Sequence, residues 1–183
     1  MTKTTKPLSI AAAVLAACFC VSASSPAVAS DPATASAVMM DGNGDEIGFA
    51  NIVQGPHGIL IHIRVSDLTP GKHGLHLHST GVCNPEDGFK SAMGHVGKAP
   101  GAHGLMNPDG PEAGDLPNIF IGADGIGEVE LFTHFVSIGE GPGENLIDAD
   151  GSAFIIHENP DDHITQPIGG AGPRVACGVV TLN

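Results

Sequence analysis

The sequence is poor in positive charge. Seven Lys and Arg stand against 20 Asp and Glu, a formal net charge of −13 at neutral pH. Nucleic acids and anionic membrane surfaces are recognised by clustered Lys and Arg, so this balance excludes them as partners. Cysteine is sparse as well, with four in 183 residues, which excludes a bare disulfide scaffold. No apolar stripe at helical spacing exceeds about two turns, and no segment repeats at a fixed period, so helical bundles and solenoids are excluded. The apolar run Leu8 to Val21 is too short to span a bilayer comfortably, and no transmembrane helix is expected. Trp and Tyr are absent. Against so few aromatics, ten His are conspicuous and point to metal or proton chemistry.

The first 29 residues read as an export leader. Lys3 and Lys6 form a basic start, the apolar run follows, and Ala27-Val28-Ala29 is a small-x-small cleavage site before Ser30. The fold is therefore expected over residues 30–183. A second reading of this stretch is a lipobox, Leu15-Ala16-Ala17-Cys18, with a lipid anchor on Cys18; it leaves Cys20 as an odd thiol. Cleavage after Ala29 leaves five basic residues against 20 acids, a net charge of −15 over 154 residues. It also leaves only Cys83 and Cys177, 94 positions apart. A bond between them would contribute about 4–5 kcal/mol by constraining the unfolded chain; two unpaired buried thiols are the alternative.

Strand signals dominate the remainder. Ile59, Ile61, Ile63 and Val65 alternate with Leu60, His62, Arg64 and Ser66, a period of two with one apolar face. Glu128 to Leu131, Phe154 to Ile156 and Val175 to Leu182 are further strand candidates, separated by the turn sequences Asp41-Gly42-Asn43-Gly44, Asp124-Gly125 and Asp150-Gly151. Short strands and Gly-rich turns predict an all-β antiparallel sandwich or barrel. Two stretches, 79–117 and 158–173, read as long loops, and long loops in a compact domain are usually functional.

His76-Leu77-His78 is the central motif. In a strand, positions i and i+2 share a face, so both imidazoles converge while Leu77 points to the core. His157 closes an apolar strand, and His95 and His103 lie in the first long loop with Glu112 and Asp115 behind them. Imidazole suits copper and zinc; imidazole with carboxylate suits zinc.

On these residues the chain resembles the copper/zinc superoxide dismutases of bacteria. His73-Gly74-Leu75-His76-Leu77-His78 before Cys83 is similar to their copper-binding strand. Ala92-Met93-Gly94-His95, Ala102-His103-Gly104-Leu105, Gly114-Asp115-Leu116-Pro117-Asn118 and His157-Glu158-Asn159-Pro160-Asp161-Asp162 resemble further metal-site segments, and Gly170 to Val180 resembles their C-terminal signature. The resemblance implies a Greek-key β-sandwich or barrel with two long functional loops; the family is a standard example of that architecture, so the placement follows from likeness rather than periodicity. It implies dismutation of superoxide anion by a redox-cycling copper bridged through a His to zinc. His76, His78, His95 and His157 would bind copper, with His95, His103, Glu112 and Asp115 at zinc. Arg174 would orient the anion and, with His95, serve catalysis. Asp161 would link the two metal sites, His73 would steady the copper strand, and Cys83 and Cys177 would be disulfide-bonded.

Two departures stand out. Glu112 occupies the place where the family carries a third zinc His, so zinc is expected to bind more weakly or less selectively. The loop from His157 to Arg174 has acids but no Lys. Field focusing, established for this enzyme class, raises on-rates roughly 10 to 1000 fold; here it would rest on Arg174, the metals, and Lys90 or Lys98. A slower dismutase is expected, working in the periplasm or outside the cell. The alternatives are a copper-buffering protein without turnover and a zinc hydrolase, the latter disfavoured because no His-Glu-x-x-His is present. His57, His62, His134 and His163 receive no role, Met39 and Met40 read as packing, and the oligomeric state, a homodimer included, is left open.

Overall fold

The computed structural model describes residues 1–2, 31–97 and 103–183. The expectations for the leader, for Cys18 and Cys20, and for Lys98 lie outside these residues.

The described residues form twelve strands: β1 (Thr34–Asp41), β2 (Glu46–Gly55), β3 (Gly58–Val65), β4 (Gly71–His73), β5 (Leu75–His78), β6 (Ile119–Ile121), β7 (Gly127–Thr133), β8 (Val136–Ser137), β9 (Glu144–Asn145), β10 (Ala153–His157), β11 (Arg174–Val179) and β12 (Thr181–Leu182). The main sheet runs β4-β6-β7-β3-β2-β1-β11-β10-β5, with β12 beside β1 and every pair antiparallel. Its two end strands, β4 and β5, are consecutive in the chain with only Gly74 between them. The sheet therefore curls until its edges nearly meet, a nearly closed barrel with a Greek-key crossover from β3 to β4 and β5. Among the described residues there is no α-helix, only the 3₁₀ turns Pro85–Asp87 and Lys90–Ala92, and no helix long and apolar enough to cross a membrane.

The alternation in β3 is realised directly. Ile59, Ile61, Ile63 and Val65 are buried, while Leu60 is 41% exposed. Burying each such side chain contributes about 1.5–3 kcal/mol, and the interior also takes Ala35, Ala37 and Met39 from β1 and Ala50 and Ile52 from β2. Periodicity did not reveal β1 and β2, although they are central. Their inward residues are largely Ala, a poor strand former. In β2 the partners of Met39 and Met40 are Gly48 and Glu46; this bulge skips Ile47 and shifts the apolar alternation out of phase.

β5 and β10 explain the site's position. Leu75, Leu77, Phe154 and Ile156 fill the barrel interior, so His76, His78, Ala153, Ile155 and His157 face outward. The loop after β5 covers that outer face. Phe89, Ala92, Ala153, Ile155 and Cys177 form a second small core there, with Met40 and Cys83 against it, and a Cys83–Cys177 disulfide with Cα atoms 5.7 Å apart pins the loop to β11. The loop also pairs with β5: Leu77 N–H donates to Gly114 O (2.8 Å), and Leu77 O accepts from Val96 N–H (2.9 Å). This close approach requires glycine at position 114, where a Cβ would stand 2.2 Å from Leu77 O.

Candidate metal centre

Outward parity on β5 and β10, with the loop clamped over them, brings His76, His78, His95 and His157 together; one ligand atom of each lies within 4.8 Å of the others. All four are at most 3% exposed. Each ring is anchored through one nitrogen. His76 Nε2 donates to Asp161 Oδ2 (2.8 Å), His78 Nδ1 to Met93 O (2.8 Å), His157 Nδ1 to Gly172 O (2.9 Å) and His95 Nδ1 to Asp115 Oδ1 (3.1 Å). The remaining nitrogens, His76 Nδ1, His78 Nε2, His95 Nε2 and His157 Nε2, are buried with no hydrogen-bond partner. Orphaned buried polar atoms are rare and costly, and fixing one ring nitrogen orients the other as a metal ligand. Burial pushes His76 down to about 4 and His157 to about 3, and His78 well below its ordinary value, with neighbouring imidazoles and, for His78 and His157, Arg174 adding to the effect. These three rings are neutral at pH 7, so their lone pairs are free.

A second cluster lies behind His95. Its Nδ1 is 2.7 Å from Glu112 Oε2 and 3.1 Å from Asp115 Oδ1; His103 Nδ1 is 2.8 Å from Asp115 Oδ1 and 3.8 Å from Glu112 Oε2. Ligands about 2.0–2.1 Å from a tetrahedral zinc stand roughly 3.3 Å apart, so this donor set fits such an ion. Glu112 is 2% exposed, and its Oε2, though close to His95, has no hydrogen-bond partner: the contact is at ion-pair distance without hydrogen-bond geometry. His76 also lies within reach of His95, His103 and Asp115. Its Nε2 is committed to Asp161, and Glu112 stands outside that set of mutually close ligand atoms. Asp115 Oδ2 accepts from Gly104 N (2.7 Å) and Glu112 N (3.0 Å), which sets the carboxylate. Burial opposes charge on His103, but Asp115 and Asp161 outweigh it and raise the ring to about 10; Asp115 and Glu112 likewise raise His95 against the effect of burial.

Asp161 spans the clusters. Oδ2 accepts from His76, and Oδ1 accepts from His103 Nε2 (3.2 Å). Although burial works the other way, these donors hold its carboxyl well below the usual range. Gly169 packs directly on it: a Cβ there would overlap Oδ1 at 1.6 Å, and φ is +62°. His73 ties β4 to the end of β10, with Nδ1 2.7 Å from His157 O and Nε2 2.7 Å from Thr69 O.

Arg174 pairs across the sheet with His157. Its guanidinium donates to the Phe89 and Met93 carbonyls and forms no ion pair among the described residues. Met93 O thus serves both Arg174 and His78. Beside the guanidinium is an open depression lined by Glu86, Asp87, Lys90, Gly172 and Pro173.

The other His fall elsewhere. His57 is exposed, His62 pairs with Glu128 (2.9 Å) on the outer face of β3, and His134 stacks on Phe135 with centroids 4.0 Å apart. His163, given no role above, lies against Asp161, its Nδ1 3.4 Å from Oδ2. Asn118 was also missed; it accepts from Asp161 N and donates to Asp161 O, both at 2.8 Å. A polar residue at an exposed-looking loop position carries no signal of such contacts.

Comparison with known proteins agrees with this geometry. The family model described as copper/zinc superoxide dismutase (SODC) matches residues 46–180. A Cu-Zn superoxide dismutase of Caulobacter vibrioides is 50% identical over 149 residues, covering 80% of this chain and 85% of that protein. One from Aquifex aeolicus is 43% identical over 138 residues, covering 75% and 81%. A crystal structure of a double mutant of a SOD-like protein from Bacillus subtilis superposes with a TM-score of 0.73 at 41% identity, covering 79% of this chain and 95% of that one. With these matches and two His-rich clusters suited to metal, the chain belongs to the copper/zinc superoxide dismutase family.

Proposed function

We propose that the protein dismutes superoxide to oxygen and hydrogen peroxide. The observation that carries this reading is the set of four buried, unpartnered ring nitrogens of His76, His78, His95 and His157. They would hold copper; His95, His103, Glu112 and Asp115 would hold zinc, with His95 shared through its two nitrogens. Copper supplies two accessible oxidation states, and imidazole suits it as a ligand.

The chain's own groups do the rest. Arg174, a permanent charge with no carboxylate partner among the described residues, gives a small anion a fixed fork beside His157. Its two carbonyl acceptors hold the fork's direction. His95 can take up and return a proton at Nε2, while Glu112 and Asp115 keep Nδ1 oriented. His78 and Arg174 share Met93 O, so the anion anchor and one copper imidazole are set by the same atom. The small-x-small site at residues 27–29 supports export to the periplasm or beyond.

A second reading, copper holding without turnover, is favoured by Glu86 and Asp87 beside Arg174, since acids there oppose an incoming anion. Superoxide decay by pulse radiolysis, with residues 30–183 carrying copper alone and then copper plus zinc, separates the two. Fast decay supports dismutation; decay no faster than free-copper controls, with copper tightly held, overturns it.

A further inference from the structure

His163 has four connections and no assigned role. Its backbone N–H donates to Asp161 Oδ1 (2.6 Å). Its carbonyl accepts from Met106 N (3.0 Å), in the loop that carries His103. Its Nε2 faces Asn118 Nδ2 at 3.1 Å, and its Nδ1 is 3.4 Å from Asp161 Oδ2. Its backbone is left-handed, with φ +62°, a conformation uncommon for a residue with a side chain.

The hydrogen bonds fix the ring's tautomer. Asp161 N–H must face the oxygen of Asn118, so Asn118 Nδ2 is the donor toward His163. His163 Nε2 is then the acceptor, and in the neutral ring the proton sits on Nδ1. That atom is buried and has no hydrogen-bond partner. It lies at ion-pair distance, 3.4 Å, from the oxygen of Asp161 that already accepts from His76.

We propose that His163 is a positioning residue for the Asp161 carboxylate, its ring holding that group between His76 and His103 while its backbone clips the two long loops together. A carboxylate's terminal torsion is broad, and Asp161 serves two rings at once. His163 N–H steadies Oδ1. The ring, seated on Asn118, stands with Nδ1 3.4 Å from Oδ2. Asn118 completes the brace by holding the backbone of Asp161 at both N and O.

His163→Gly isolates the ring, because glycine adopts positive φ freely and keeps both backbone bonds. His163→Asn also tolerates this φ and retains a polar amide. Full-length chain with ¹⁵N-labelled His, metal-free and again loaded with diamagnetic copper(I) and zinc, reports the Nε2–H protons of His76 and His103 by NMR. In His163→Gly these protons are expected to exchange about tenfold faster in both states, and zinc to leave to a chelator about tenfold faster, in line with the effect of partners that orient metal ligands. In His163→Asn both effects shrink. Wild-type exchange in His163→Gly overturns the proposal. So does equal acceleration of every slowly exchanging proton in both variants, which marks general loosening. The zinc measurement and the metal-loaded exchange rest on the metal reading above: if the unsubstituted chain holds no metal, that reading fails, while the metal-free exchange rates still decide the role of His163.

Discussion

The two clusters that share His95 are built on opposite electrostatic plans. The first is imidazole only, and burial keeps His76, His78 and His157 neutral. The second contains Glu112 and Asp115: Asp115 with Asp161 overrides burial and raises His103, and Asp115 with Glu112 raises His95. Low dielectric disfavours a lone charge and strengthens a paired one. One site is therefore prepared for a metal by excluding charge, the other by storing it. A proton competes with metal in the second far more than in the first.

The largest break in that contrast is removal of a neutral ring. His157→Ala should lower copper-dependent superoxide decay by roughly 1000-fold or more, toward the free-copper background, since no other described group replaces that ligand; pulse radiolysis checks it. On the other side, Glu112→Ala should weaken zinc by about 100-fold, whereas Glu112→His should tighten it by about tenfold, measured as zinc retained after dialysis against a mild chelator. Full retention in the unsubstituted chain, unchanged by Glu112→His, would remove Glu112 from the ligand set.

pH sharpens the same comparison. Zinc must displace a proton from His103, which is raised to about 10, so apparent zinc affinity should fall by up to about tenfold per pH unit on acidification through the neutral range. Copper affinity should hold until the pH approaches the values of about 4 and 3 of His76 and His157. Metal content after dialysis at pH 8, 6.5 and 5 tests the order of loss. In the metal-free chain the stability slopes oppose each other. His76 and His157 have folded values below their unfolded 6.5, so their burial costs stability as pH falls from 6.5 toward 4. His103, with its folded value raised, contributes stability that is fully present below 6.5 and lost as pH rises toward 10. Melting temperature against pH should therefore fall on both sides of neutrality.

The smallest effect concerns the anion path. Arg174→Ala should slow superoxide decay about tenfold and remove most of its salt dependence. In the unsubstituted protein, a rate that falls with salt marks steering by Arg174; a rate that rises marks dominance of the overall negative charge.

Much of the fold was legible locally. The alternation at Ile59–Val65 placed β3, and the turn sequences marked where strands end. β1 and β2 were hidden because Ala in inward positions and the bulge at Ile47 blurred the period. The site was legible where a motif spans adjacent positions, as in His76-Leu77-His78, and where a resemblance could be followed segment by segment. His163 and Asn118 were not, because their only signal is spatial.

The sequence by itself determined which side chains face together along a strand, because parity in an extended chain is local. It also determined the donor types available and the excess of acid. Tertiary structure alone decided which nitrogen of each ring is free. The anchoring acceptors lie far along the chain: Asp161 is 85 positions from His76, and Met93 and Gly172 are each 15 from the rings they hold. Only folding brings those acceptors to their rings, and only the burial that accompanies it leaves the remaining nitrogens enclosed and unpartnered.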